Sequence, residues 1–236
     1  MNYLILFDID GTILQFKKYN SREIFAGMLK EIFGREVPVS IMPDFSGMTD
    51  LQILKEIASR IDLPNPELEE RLPEVWSKIF SDFKEFCTPE YINLLPGIPE
   101  LLKILDTDTN VTLGLQTGNF KDNAYMKLKT FNLEKYFPFG AFGSDHEDRN
   151  MLPPIAVKRA NEHHGQNMFS QSNTLIIGDS IRDIECAKSN NLPVLAVATG
   201  STGKHELARC EPDAVLDNFS DNNRAIEIIF DLLNAE

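Results

Sequence analysis

The sequence predicts an α/β fold: a doubly wound parallel sheet interrupted near its start by an all-helical insertion. Three observations carry this. Tyr3 to Phe7 form an apolar run too short for a helix and rich enough in large side chains for a buried strand. Residues from about 15 to 95 show helical periodicity with no strand apparent. From about 96 onward, short apolar runs alternate with amphipathic helical patterns, which is the signature of a parallel sheet covered on both faces.

The first strand is apolar on both faces, so it belongs in the middle of such a sheet. Residues 20–34 read as a helix, with Ile24, Phe25, Met28, Leu29 and Ile32 on one face and Gly34 at its end. A loop with Pro38 and Pro43 leads to Phe45-Ser46-Gly47-Met48-Thr49-Asp50, where Thr49 or Asp50 can cap a helix bearing Leu51, Ile53, Leu54 and Ile57. Pro64 and Pro66 break the chain. Residues 67 to about 87 then offer Leu68, Leu72, Val75, Trp76, Ile79, Phe80 and Phe83 at the spacing of a helix core. Leu95-Pro96-Gly97-Ile98-Pro99 closes this block, and a helix begins around Pro99-Glu100. Strands are expected at Val111–Gln116, Phe139–Phe142, Thr174–Ile177, Val194–Val197 and Ala214–Leu216. Helices are expected at 121–131, 153–164, 181–189 and 221–233. The chain therefore divides into a core of residues 1–15 and 96–236 and an inserted helical domain of residues 16–95.

Composition narrows the function. The 236 residues carry 23 Lys and Arg against 36 Asp and Glu, a net charge of −13. That balance argues against a nucleic-acid backbone or an anionic membrane as partner. A phosphorylated ligand would have to be drawn in by a local cation rather than by the surface field. Cys87, Cys186 and Cys210 are odd in number and lack metal-site spacing, which suits free thiols in a reducing cytoplasm. The first apolar run ends in acid after a few residues and has no basic segment before it, so it reads as neither signal peptide nor membrane span.

The chemistry is expected where strands end, because open parallel sheets hold their ligands beyond the carboxyl ends of their strands. The first strand stops at Asp8-Ile9-Asp10-Gly11-Thr12, with Gly11 allowing the chain to turn. Two carboxylates held close together repel, so one needs a cation or a proton. A hard, oxygen-seeking ion such as Mg²⁺ satisfies Asp8 and also draws a phosphate. Asp8, fixed at the strand end, is the nucleophile candidate, giving an aspartyl-phosphate. Asp10 is the general acid and then the general base. The plain alternative is a turn whose aspartates cap a helix. After the strand at 111–116, Thr117-Gly118-Asn119 offers a hydroxyl, an approachable backbone N–H and an amide for phosphate oxygens, or else an ordinary helix-capping turn.

Asp8-Ile9-Asp10-Gly11-Thr12 resembles the first motif of the haloacid dehalogenase (HAD) superfamily, most of whose members are Mg²⁺-dependent phosphatases and phosphomutases. Thr117 matches the family's second motif, and Gly178-Asp179-Ser180-Ile181-Arg182-Asp183 resembles its fourth. The helical insertion resembles the cap of the phosphoglycolate phosphatase and β-phosphoglucomutase relatives, and Gly47-Met48-Thr49-Asp50 resembles the cap loop that faces the site. The resemblance implies a HAD-like Rossmannoid core with a metal site of Asp8, Asp179 and Asp183, to which Asp10 contributes its backbone carbonyl. Asp183 also fits a plain acidic residue in a first helical turn. Thr117, Gly118 and Asn119 would hold phosphate, and Thr49 and Asp50 would contribute specificity. The implied reaction is hydrolysis of a small phosphomonoester by a monomer or homodimer. A phosphomutase, or a phosphometabolite-binding regulator with weakened catalysis, are the alternatives.

One departure stands out. Family members carry a Lys just before the helix placed at 153–164, and matching Pro154 and Ala160 puts Met151 there. Phosphoryl transfer without that charge loses stabilisation of a developing anion, so a substitute is expected. Arg149 is the first candidate and Lys158 the competitor, the plain alternative being an Arg149 paired with Asp145 or Asp148. Thr199-Gly200-Ser201-Thr202-Gly203-Lys204 departs from a nucleotide-binding loop at Ala198 and His205 and reads as a strand-to-helix loop near the mouth of the site. His163 and His164 are adjacent and read as surface residues.

Overall fold

The computed structural model describes residues 2–17 and 21–235. Asn20, the first residue of the expected 20–34 helix, lies outside them. In chain order the elements begin with β1 (Tyr3–Phe7), β2 (Leu14–Phe16), α1 (Ser21–Phe33), α2 (Asp50–Arg60), α3 (Asn65–Glu70), α4 (Leu72–Lys84) and β3 (Ile92–Leu94). They continue with α5 (Ile98–Thr107), β4 (Val111–Thr117), α6 (Lys121–Lys129), β5 (Gly140–Phe142), α7 (Leu152–His164) and β6 (Thr174–Gly178). The last are α8 (Ile181–Ser189), β7 (Val194–Val197), α9 (Lys204–Arg209), β8 (Ala214–Leu216) and α10 (Asn222–Asn234).

Six strands pair in the order β5-β4-β1-β6-β7-β8, every pair parallel. β1 sits inside the sheet, flanked by β4 and β6, as its two-faced apolarity requires. Alternation along β1 sends Ile5 and Phe7 to one face and Leu4 and Leu6 to the other. The first pair packs with Leu101 and Leu105 of α5, Leu128 of α6 and Ile229 of α10. The second packs with Leu152 and Ala156 of α7, Ile184 of α8 and Leu207 of α9. Helices thus cover both faces, and the polar strand ends at residues 8, 117 and 179 meet along one edge.

Helices α1 to α4 build their own apolar cluster from Phe25, Met28, Leu29, Leu54, Ile57, Val75 and Ile79. Two expectations for this segment are corrected. The stretch expected to lack strands contains β2 and β3, which pair antiparallel, Leu14 opposite Leu94 and Phe16 opposite Ile92. Each is three residues long, apolar-polar-apolar, and too short for a periodic signal to register. The single helix expected at 67–87 is two helices that meet at Arg71. Pro73 has no N–H to donate back to residue 69, so a continuous helix would lose a bond there. Arg71 ties the break down: its guanidinium donates to the Ile32 carbonyl and twice to Glu74 Oε2, at 2.7 and 2.9 Å.

Candidate active site

β1 delivers Asp8 to the sheet edge, its backbone N–H bonded to the Ile177 carbonyl at 2.9 Å. The chain then reverses at Gly11, with φ of +85°. A Cβ there would lie 2.3 Å from Asp179 Oδ2, so only glycine lets this turn pass the carboxylate. Thr12 donates its hydroxyl to Asp179 Oδ1 at 2.9 Å. Asp183, in the first turn of α8, accepts from the Ser180 backbone N–H at 3.0 Å and the Ser180 hydroxyl at 2.6 Å, a capping box.

Asp8, Asp179 and Asp183 are all buried and offer carboxylate oxygens within 4.8 Å of one another. Burial raises the Asp8 carboxyl to about 6, opposed by Arg149 and reinforced by the charges of Asp183 and Asp10. Burial, with the Asp183 and Asp8 charges, raises Asp179 well above its ordinary value. Three buried carboxylates stand beside the Arg149 guanidinium, so the fully ionised set would carry an excess of two negative charges. An all-oxygen donor set with that excess fits a divalent hard cation such as Mg²⁺.

Arg149 lies in a 3₁₀ turn, Arg149–Met151, that leads into α7. It is 5% exposed, while Met151, at the position where the family lysine is expected, is 45% exposed. Its Nη2 bonds Asp183 and stands 3.3 Å from Asp8 Oδ1, and its Nη1 donates to the Gly47 carbonyl at 3.3 Å. These carboxylates hold it protonated above its usual range against the opposing effect of burial. The rival partners are otherwise engaged: Asp145 takes Arg159, and Asp148 caps the turn through the Asn150 N–H. Lys158 is exposed and stands 3.8 Å from Glu162, away from the site.

Thr117, Gly118 and Asn119 follow β4 on the same edge. Thr117 is fully buried and hydrogen-bonds Asp8. Asn119 Nδ2 bonds both Thr117 Oγ1 at 2.8 Å and Asp10 Oδ2 at 2.7 Å. Gly118 supports the backbone: a Cβ would stand 2.0 Å from the Met48 carbonyl, and the Asp50 N–H donates to the Gly118 carbonyl at 2.8 Å. The Asp10 carboxylate lines the same cleft outside the three-aspartate cluster and accepts from Lys127.

The helical insertion reaches the core through its 47–50 loop. Thr49 is fully buried, caps α2 through the Gln52 N–H at 3.1 Å and donates to the Glu147 carbonyl at 2.7 Å. It does not line the cleft. Asp50 does line it, and also accepts the Phe120 N–H at 2.8 Å. Burial raises its carboxyl to about 6, with the Phe120 bond and the Lys127 charge opposing. Trp76 packs on Phe120 across the two layers, and Phe83 lines the cleft. Both residues also pack in the apolar cluster of the helical block, as their spacing predicts, so their contacts at the cleft are additional to that role.

The cleft between the layers measures about 540 Å³. Polar groups of the core line its floor, and Phe16, Phe25, Phe45, Met48 and Ile53 line its roof with Phe83. Gly200 and Ser201 stand at its mouth, whereas Lys204 points away to Asp217 at 2.7 Å. A larger surface groove along α7 gathers no such set of converging carboxylates and cations.

Sequence reasoning missed Lys127. It is 4% exposed, and its ammonium bonds Asp10 and Asn119. The signal was present: Lys127 falls three residues after Ala124 and beside Leu128, on the buried side of α6.

A sequence profile described as "Haloacid dehalogenase-like hydrolase" matches residues 5–197. A phosphoglycolate phosphatase of Vibrio vulnificus (strain CMCP6) is 26% identical over 228 residues, covering 92% of each chain. A pyrophosphatase PpaX of Listeria welshimeri is 25% identical over 229 residues, covering 92% of this chain and 93% of its own. Among solved structures, β-phosphoglucomutase from Clostridium difficile superposes with a TM-score of 0.70 at 20% identity, covering 99% of this chain and 98% of its own.

Proposed function

This chain belongs to the haloacid dehalogenase-like hydrolases, and from that premise we propose that it is a Mg²⁺-dependent phosphatase acting on a small phosphomonoester through an aspartyl-phosphate on Asp8. The observation that carries the reading is the buried Asp8, Asp179, Asp183 cluster beside Arg149. The phosphatase names of the curated relatives support it.

Asp8, Asp179 and Asp183 would hold the Mg²⁺, with the Asp10 backbone carbonyl. The ion supplies charge neutralisation for the phosphoryl oxygens when bound. A carboxylate oxygen of Asp8 forms the new bond to phosphorus as the bond to the leaving oxygen breaks. Asp10 gives its proton to that oxygen, so the alcohol departs neutral. Asp10 then takes a proton from the water that attacks phosphorus, releasing phosphate and restoring Asp8. Arg149 balances the charge of Asp8 and Asp183 and stabilises the transferring group. Thr117, Gly118 and Asn119 bind its oxygens. Closure by the helical layer excludes bulk water.

The helical layer, residues 16–95 in our proposal, contributes the rest of the substrate contact, with Asp50 at the cleft wall as a specificity residue. Thr49, proposed with it from the sequence, acts on the loop's placement. Among the described residues no helix is long and apolar enough to cross a membrane. A cytoplasmic setting, as monomer or homodimer and without nucleic-acid or membrane partners, is part of this proposal.

Phosphate release should be measured over sugar phosphates, nucleotides, phosphoglycolate and pyrophosphate, with Mg²⁺ and with chelator. Mg²⁺-dependent release from at least one monoester is expected. Isomerisation of a sugar phosphate without net release would favour the mutase alternative, and release from none would leave the regulator.

A further inference from the structure

Asp10 sits between two environments. Its Oδ1 and Oδ2 accept from Lys127 Nζ at 2.8 and 2.6 Å on the protein side. Its side chain keeps 40% exposure toward the cleft, while that of Lys127 keeps 5%. Lys127 Nζ also donates to Asn119 Oδ1 at 2.6 Å, and Asn119 Nδ2 donates to Asp10 Oδ2 and Thr117 Oγ1. These partners fix which way the Asn119 amide faces. The rings of Phe16 and Phe83 flank the ammonium at 5.4 and 5.5 Å from their centroids. A buried ammonium spends its three donors on two neighbours, and both carboxylate oxygens of Asp10 are held from behind.

We propose that Lys127 is the positioning residue for the water-attack half of the reaction, holding the Asp10 carboxylate with its open face toward the cleft where the attacking water must lose a proton. The inference rests on the phosphatase reading above. In this half-reaction the water oxygen bonds to phosphorus, its proton passes to Asp10, and the bond from Asp8 to phosphorus breaks. Lys127 forms no bond to the reacting atoms. Its chain of contacts through Asn119 to Thr117, and from Thr117 to Asp8, keeps the base in register with the phosphoryl group. Geometry of this kind matters because a small misplacement of a reacting group can cost about a hundredfold in rate.

The test uses p-nitrophenyl phosphate, whose nitrophenolate leaves as a stable anion and needs no acid in the first half. In Lys127→Met, kcat should fall about tenfold or more while kcat/KM stays within about twofold, because kcat/KM ends at formation of the aspartyl-phosphate. Rapid mixing should give a burst of nitrophenolate approaching one per active site, followed by slow turnover. Asp10→Asn should show the same signature, and Lys127→Met added to it should change kcat little. A merely structural lysine would lower kcat and kcat/KM together with no burst, and that result overturns the inference, as would unchanged kinetics. If Lys127→Met is insoluble, Lys127→Gln is read by the same burst and the same split. Absence of Mg²⁺-dependent turnover by the unaltered chain would instead remove the phosphatase reading, and this inference with it.

Discussion

The guanidinium of Arg149 stands 3.3 Å from the carboxylate of Asp8, although Arg149 lies two positions before the residue where the family lysine is expected. Met151, at that position, turns outward because the 3₁₀ turn preceding α7 aims residue 149 inward. The charge is therefore present at the site, carried by a longer side chain from an earlier point in the chain. Arg149→Ala should lose at least about tenfold in kcat/KM, the scale of a lost charge at a developing anion. Lys158→Ala should change it little. The reverse ranking would transfer the role to Lys158, and no loss from either would end the substitution argument.

Mg²⁺ and pH should be linked. Burial raises Asp8 from 3.8 to about 6 and Asp179 in the same direction, so the native protein binds protons more tightly than the unfolded chain. In chelator Asp8 makes stability fall as pH rises from about 4 to 6, and Asp179 acts in the same direction, because ionisation is then paid for without a counter-ion. A bound cation favours the ionised forms. Addition of Mg²⁺ should therefore raise the melting temperature clearly at about pH 7.5 and only slightly at about pH 5. Asp179→Asn should abolish the difference. An equal Mg²⁺ effect at both pH values would contradict the assignment.

Thr49 should behave as a fold residue. It caps α2 and binds the Glu147 carbonyl, so Thr49→Ala should cost about 1 kcal/mol of stability and lower activity evenly across substrates. Asp50→Asn, at the cleft wall, should alter the ranking of substrates more than activity on a small aryl phosphate. A reordered ranking in Thr49→Ala, measured by kcat/KM across the substrate panel, would assign specificity to the loop as a whole.

The sheet was legible because buried strands announce themselves as apolar runs that stop at polar residues. Asp8, Thr117 and Asp179 are visible for the same reason, each closing such a run. The β2–β3 pair was not legible, since three alternating residues lack a period. The break at Arg71 hid behind an apolar spacing that continues across it. Lys127 was invisible as chemistry because its partner, Asp10, is far away in sequence, and only the fold brings a helix-borne cation to a strand-end acid. Arg149 was reachable only by asking what replaced a missing charge.

The roles of the two leading aspartates should separate. Asp10→Asn should retain Mg²⁺ affinity and lose about 10²–10⁴-fold in rate, as for removal of an acid–base group. Asp179→Asn should lose affinity. Titration of Mg²⁺ by calorimetry checks both, and equal losses of affinity would contradict separate roles.

The central claim is that Asp8 carries the phosphoryl group. Acid quenching of a reaction with substrate labelled in its phosphoryl group tests it most directly. The unaltered chain should trap label on protein, released by hydroxylamine as expected of an acyl phosphate, and Asp8→Asn should trap none and turn nothing over. Turnover by Asp8→Asn at even a tenth of the unaltered rate would contradict the account.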